Sequence, residues 1–308
     1  MKNYISLFFK GIGMGAANVV PGVSGGTIAL ITGIFEQLIN AIKSFNLKAL
    51  KLILKGDFKA FALHVDLKFL LVLFLGIAIS ILSLAKLFGY LLEYQPVYIY
   101  ATFFGLILAS IFFVGRTIEK WNFSVIVSLL VGTVIAVLIT FLKPASENSS
   151  LLYLVICGIV AACSMILPGI SGSFVLLLMG NYKLVMIDAV NDLNLIILIP
   201  VILGAAIGLI LFSNVLSWVF KKYKTLTIAL LTGFILGSIG VLWPWKVEVL
   251  ATNSMGEIIL KNGKGIAEGY RWLMPETFST EVIFALLFMI LGIAIIWITE
   301  YLATRKNY

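Results

Sequence analysis

Sorted only into apolar and polar positions, the chain is a series of long apolar runs parted by short polar gaps. Six runs, 69–92, 97–114, 123–142, 194–220, 225–243 and 282–302, are each 18 residues or longer. Each is long enough as a helix to cross a hydrocarbon core roughly 30 Å thick. Two further apolar segments, 3–43 and 151–190, are interrupted midway by a Pro-Gly pair. KPASENSS, from Lys143 to Ser150, parts the halves with the composition of a polar linker. The pattern predicts an all-α polytopic membrane protein forming one membrane domain over 1–308.

The two halves repeat each other. A shift of 147 residues carries Pro21, Gly22, Ser24, Gly25 and Gly33 onto Pro168, Gly169, Ser171, Gly172 and Gly180. A shift of 128 carries Gly76, Gly105 and Ser110 onto Gly204, Gly233 and Ser238. The 19-residue difference marks an insertion in the first half, within 44–68. The repeats are therefore expected over 1–143 and 151–308, joined by the linker 144–150, each a broken segment followed by three spans. Secondary transporters are commonly built this way.

Lysine and arginine decide how the broken segments run, because they gather on the cytoplasmic side. If each broken segment dips in and returns as a re-entrant hairpin, 15 basic residues lie on one side and 5 on the other, with Lys86 and Lys183 inside the spans. If each crosses once, the split is 8 against 12. The hairpin arrangement is the one that sorts the charges. A hairpin plus three spans inverts its successor, so inverted repeats are expected, with both termini cytoplasmic and 244–281 outside. The insertion reads as an amphipathic cytoplasmic helix over 46–60, lysines alternating with leucines at helical spacing. It is expected to be a positive-inside anchor lying on the membrane, with membrane lipids as partners and anionic-lipid binding as the alternative. Outside, Asn262-Gly263 is a hairpin signal, and Trp243, Trp245 and Trp272 suit an aromatic belt.

Composition supports the membrane assignment: 61% of residues are hydrophobic and 12% charged, with a mean hydropathy of +1.12. No removable signal peptide is expected at the N-terminus. The net charge of +8 matters through its placement and does not point to nucleic acid. Cys157 and Cys163 sit in apolar surroundings and read as small hydrophobes. The single histidine, His64, falls in the insertion, so a serine nucleophile at GVSG would lack a base. No Cys/His set or carboxylate cluster suggests a metal, no cofactor is expected, and no P-loop is present. These absences weigh against an enzyme.

The repeated motif carries the chemistry. NVVPGVSGGT (Asn18–Thr27) and ILPGISGSF (Ile166–Phe174) each end one helix at Pro-Gly and restart another at Ser-Gly. Irregular backbone at membrane depth is tolerated only inside protein or beside a wet cavity. A restarted helix offers free N–H groups and a partial positive charge, which suit a phosphate. The candidate substrate-binding residues are Asn18, Pro21, Gly22, Ser24, Gly25, Gly26 and Thr27 in the first tip. Pro168, Gly169, Ser171, Gly172 and Ser173 are their counterparts in the second. Glu36 and Lys183 occupy one repeat position and are candidates for coupling or for holding the head group. The pairs Gly76/Ser80, Gly105/Ala109, Gly204/Gly208 and Gly233/Gly237 have the small-xxx-small spacing that lets membrane helices approach closely.

The segments GAANVVPGVSGGTIALITGIFEQLI (Gly15–Ile39), LPGISGSFVLLLMGNY (Leu167–Tyr182) and LTGFILGSIGVLWPWK (Leu231–Lys246) carry a likeness. Together they resemble the bacterial and archaeal polyprenyl-phosphate transporter family of the PopT type, in motif order over nearly the whole chain. The resemblance implies a flippase returning undecaprenyl phosphate to the cytoplasmic leaflet for reuse in cell-wall synthesis. It also implies residence in the cell (inner) membrane. H+ or Na+ are the candidate coupling ions. The alternative reading is an anion channel or exchanger with helix N-termini at a midplane site. Ser173 replaces the glycine found at Gly26, so the two tips are expected to contribute unequally, the first making the closer contact.

Overall fold

The computed structural model describes residues 4–19, 24–142, 145–250, 260–261, 264–265, 267–275 and 278–305. Among the described residues, six helices are long and apolar enough to cross a membrane, and they coincide with the six long apolar runs. They are α6 (Leu67–Tyr94), α7 (Pro96–Arg116), α8 (Phe123–Thr140), α12 (Leu195–Lys222), α13 (Lys224–Ser238, continued by a 3-10 turn over Ile239–Leu242) and α14 (Thr280–Arg305). Their ends follow local chemistry. Pro96 opens α7, where its missing N–H is harmless. Asn122 and Asn194 cap α8 and α12 by accepting from Val125 N and Ile196 N.

Each broken segment begins with a 16-residue helix, α1 (Tyr4–Val19) and α9 (Leu151–Ile166). At about 1.5 Å per residue such a helix reaches only ~24 Å, short of a full crossing. After the Pro-Gly interruption come two seven-residue helices, α2 (Gly25–Ile31) and α10 (Gly172–Leu178). Both end at a glycine in the left-handed region, Gly33 at φ +70° and Gly180 at φ +74°. The return leg is thus broken a second time, which the hairpin reading did not anticipate. In the first half the chain turns by 118° from α2 into α3 (Phe35–Lys43). In the second, a π-helical stretch, Leu184–Asp188, runs into the short α11 (Ala189–Asn191).

The packing is reciprocal between the halves. Helix α1 lies along α6, and α9 along α12. Their glycines meet carbonyls on matched residues: Gly11 faces Leu73 O and Gly76 faces Phe8 O, while Gly158 faces Val201 O and Gly204 faces Val155 O. The remaining spans exchange partners, α7 packing on α14 and α13 on α8. Gly105 faces Met289 O where Gly233 faces Leu129 O, and Gly292 faces Thr102 O where Gly132 faces Leu230 O. A side chain at any of these eight positions would drive into the facing backbone. In lipid, where apolar side chains gain little by leaving the solvent, such close backbone approach is what holds helices together.

The insertion differs from the single amphipathic helix expected over 46–60. It forms two short helices, α4 (Leu47–Leu54) and α5 (Phe58–His64), parted at Gly56, φ +71°. Asn46 and Asp57 cap them. The only strands among the described residues lie in the 244–281 loop. There β1 (Lys246–Leu250) pairs antiparallel with β4 (Ala267–Trp272), and β2 (Leu260–Lys261) with β3 (Lys264–Gly265). Asn262 and Gly263 fall outside the described residues, between these two paired strands. The tryptophans gather where the loop meets the helices: Trp243 against Phe104 and Trp245, Trp272 against Phe141, and Trp272 Nε1 donating to Gly240 O at 2.8 Å.

Candidate functional site

The two tips meet. Gly169 N donates to Thr27 Oγ1 at 3.0 Å, and Ser24 Oγ donates to Leu167 O at 3.3 Å. A Cβ on Gly26 would sit 2.6 Å from Ile166 O, so glycine is what permits the first tip to lie on the second. Ser24 and Thr27 are buried at this contact, at 3% and 1% exposure. Pro168-Gly169 makes its turn with Gly169 at φ +83°, against Phe234 O of α13. Pro21 and Gly22 lie outside the described residues.

The first tip satisfies its own donors. Ser24 is the N-cap of α2 and accepts from Gly26 N at 3.2 Å. Asn18 Oδ1 accepts from Gly25 N at 2.8 Å, so Asn18 serves here as a second cap. The second tip is built differently. Ser171 is its N-cap, accepting from Phe174 N at 3.4 Å. The counterpart of Asn18 is Met165, whose thioether is a poor acceptor. Ser173 is exposed, Ser171 half-buried, and their hydroxyls stand 2.7 Å apart. The accessible hydroxyls are therefore on the second tip. From the sequence, Ser173 in place of the glycine at Gly26 predicts the closer contact from the first tip. In the structure Gly26 is glycine for the sake of Ile166.

Glu36 and Lys183 are apart from the tips. Glu36 pairs with Lys224 at 3.4 Å and Lys183 with Asp188 at 3.3 Å, every partner well exposed. Exposed pairs of this kind contribute about 0–1 kcal/mol. Two residues the sequence reading passed over close the far ends of the tip helices. Lys10 Nζ donates to Thr32 O at 2.6 Å, and Tyr153 OH to Met179 O at 2.9 Å. Thr32 and Met179 are C-caps of α2 and α10 and are equivalent by the 147-residue shift. A cation suits the negative end of a helix, so Lys10 also complements the α2 dipole. The matched glycines Gly33 and Gly180, next in sequence, were the signal that could have exposed these breaks.

The profile of the VCA0040-like family, described as undecaprenyl phosphate translocase-like, matches residues 14–259, which hold both tips. The chain belongs to the undecaprenyl phosphate translocase-like family. Among relatives of this translocase-like chain, a polyprenyl-phosphate transporter of Vibrio cholerae is 45% identical over 257 residues, 83% of each chain. A polyprenyl-phosphate transporter of Staphylococcus aureus is 33% identical over 252 residues, 76% of this chain and 84% of its own. No solved structure matches the chain. Family and relatives make this translocase-like protein a multi-pass membrane transporter and not an enzyme.

Proposed function

We propose that the protein carries a polyprenyl phosphate, undecaprenyl phosphate in the first place, from the outer to the cytoplasmic leaflet of the cell membrane. The barrier to moving such a lipid is its anionic head, since the tail remains in hydrocarbon throughout. Burying an isolated phosphate without partners is prohibitive. The observation that carries the reading is the hydrogen-bonded meeting of the two tips, Gly169 on Thr27 and Ser24 on Leu167, within a framework whose contacts recur between the halves.

The head group is placed at that meeting point, first on the accessible Ser171 and Ser173 hydroxyls and the adjoining backbone. Ser24, Gly25, Gly26 and Thr27 form the covered side that would open to complete the site, with the exposed Asn18 at its edge. Charge-assisted bonds from N–H or O–H groups to phosphate contribute roughly 1.5–3 kcal/mol each where water is scarce. The halves are read as inverted repeats, which is supported by the reciprocal packing and by the 15-to-5 basic split. That split also supports a cytoplasmic position for both termini and α4–α5. Either H+ or Na+ would supply the driving force, and recycling of the cell-wall lipid carrier is the biological role.

Purified protein in liposomes with labelled undecaprenyl phosphate tests this. Leaflet exchange should rise well above protein-free vesicles and respond to an imposed H+ or Na+ gradient. Chloride or inorganic phosphate flux without lipid exchange would establish the channel or exchanger reading instead.

A further inference from the structure

The insertion ahead of α6 carries two parallel stripes. In α4, Leu47, Leu50 and Leu54 recur at i, i+3 and i+7, and Lys48, Lys51 and Lys55 repeat that spacing one residue on. One residue is about 100° around an α-helix, so the apolar and basic stripes run side by side. A third stripe faces inward, with Ala49 buried and Leu52 half-buried.

The two short helices hold each other. Helix α4 packs on α5, and α5 on α6. Phe45 and Phe61 meet edge-on at 6.2 Å, and His64 Nε2 stands 3.3 Å from Asn46 Oδ1, the cap of α4. The larger apolar side chains nevertheless point away from the protein: Leu47, Leu50, Ile53, Leu54, Phe58 and Leu63 are between 42% and 77% exposed. Lys48, Lys51, Lys55 and Lys59 are exposed beside them. A segment that only marked the cytoplasmic side would need the lysines, while its leucines could pack inward. Leucines turned outward beside lysines suit a helix seated in a bilayer surface, apolar groups among the acyl chains and ammonium groups level with the phosphates.

Both ends of the insertion reach one polar cleft. Ser44, just before α4, and Asp66, just after α5, line an open cleft of about 450 Å³ together with Glu36, Gln37 and Asn40 of α3. Asp66 Oδ2 accepts from Gln37 Nε2 at 2.6 Å, which ties the chain leaving α5 to α3 at the cleft.

We infer that α4 and α5 form a binding surface for anionic phospholipids of the cytoplasmic leaflet and hold them beside the mouth of this cleft. Charge selects the occupant: a neutral bilayer would satisfy the leucines alone, whereas anionic head groups also satisfy the lysines, each of which adds to the attraction. The inference rests on the proposed cytoplasmic placement only for the leaflet it names, and does not depend on which lipid the protein carries.

The full chain tests this, with Cys157→Ala and Cys163→Ala and an environment-sensitive fluorophore on Leu54→Cys. It is reconstituted in phosphatidylcholine vesicles with or without phosphatidylglycerol. Emission should shift to the blue when phosphatidylglycerol is present, and high salt, which screens surface charge, should reverse the shift. Lys48→Gln, Lys51→Gln, Lys55→Gln and Lys59→Gln together should weaken the response several-fold at an unchanged melting temperature, since all four lysines are exposed. Leu47→Cys repeats the measurement should the label at position 54 perturb α4. An equal shift in both kinds of vesicle would reduce the surface to an apolar anchor and overturn the inference. So would the absence of any shift, or a shift that follows protein density, which would make the occupant a second copy. Phosphatidylglycerol lies in both leaflets and no prenyl phosphate is present, so a wrong orientation or a wrong substrate would leave this result untouched.

Discussion

The Thr27 hydroxyl accepts the Gly169 N–H across 142 residues of sequence, joining the tip of one half to the turn of the other. Thr27 is almost wholly buried and Gly169 half-buried, so the acceptor end of the bond is shielded from water. Thr27→Val keeps the shape and removes the acceptor, leaving a half-buried N–H without its partner at a penalty of up to about 1 kcal/mol. The variant should melt several degrees lower in detergent, and Thr27→Ser should stay close to the parent. Equal melting of Val and Ser variants would show that the bond contributes nothing.

Gly26 and Ser173 are repeat equivalents, yet the structure gives them opposite tolerances. Gly26→Ala forces a Cβ towards Ile166 O, at 2.6 Å before relaxation, an overpacking worth roughly 1–3 kcal/mol. Reduced abundance and a lower melting temperature are expected. Ser173→Gly touches an exposed position and should fold normally. If the head group binds at the second tip, its leaflet exchange should nonetheless fall. Full transport by well-folded Ser173→Gly and Ser171→Ala variants would move the phosphate elsewhere.

The interhelical glycines make a paired prediction. Gly105→Ala and Gly233→Ala both drive a methyl into a facing carbonyl, Met289 O and Leu129 O respectively. Both should reduce folded protein in membranes strongly, and to similar extents. Gly115→Ala, whose Cβ meets only the Trp121 ring at 3.8 Å, should be neutral.

Orientation can be read from labelling in a Cys157→Ala, Cys163→Ala background. Lys55→Cys, between α4 and α5, should react only with reagents that reach the cytoplasmic face. Met274→Cys, 78% exposed beyond β4, should react from outside. External labelling at position 55 would overturn the inverted arrangement.

Loss of the protein should leave more prenyl phosphate on the outer leaflet. Cells without it, and without redundant carriers, should become more sensitive to an antibiotic that binds this lipid at the surface. Unchanged sensitivity would count against the proposed direction of transport.

Much of this architecture was legible in the sequence because the membrane leaves few choices. An apolar run of 18 or more residues must satisfy its own backbone, so the six runs became the six spanning helices. The Pro-Gly and Ser-Gly motifs stop and restart helices by local rules, and Ser24 and Ser171 are both N-caps as the spacing implied. Small residues at matched positions announced close packing, though not which helices would meet. What the repeat could not reveal is where its two copies differ. Ser24 and Ser171 look alike in sequence, yet one is buried and the other half open, because burial depends on a neighbour more than 140 residues away. Glu36 and Lys183 looked like charges within the spans; Glu36 has a partner brought by tertiary packing, Lys224, and Lys183 a local one, Asp188, both pairs exposed. The docking of α3 on α12 of the opposite half was decided the same way. A duplicated sequence encodes one set of local preferences twice. Which copy of a residue is buried is a property of the contact between the copies, and that contact exists only in three dimensions.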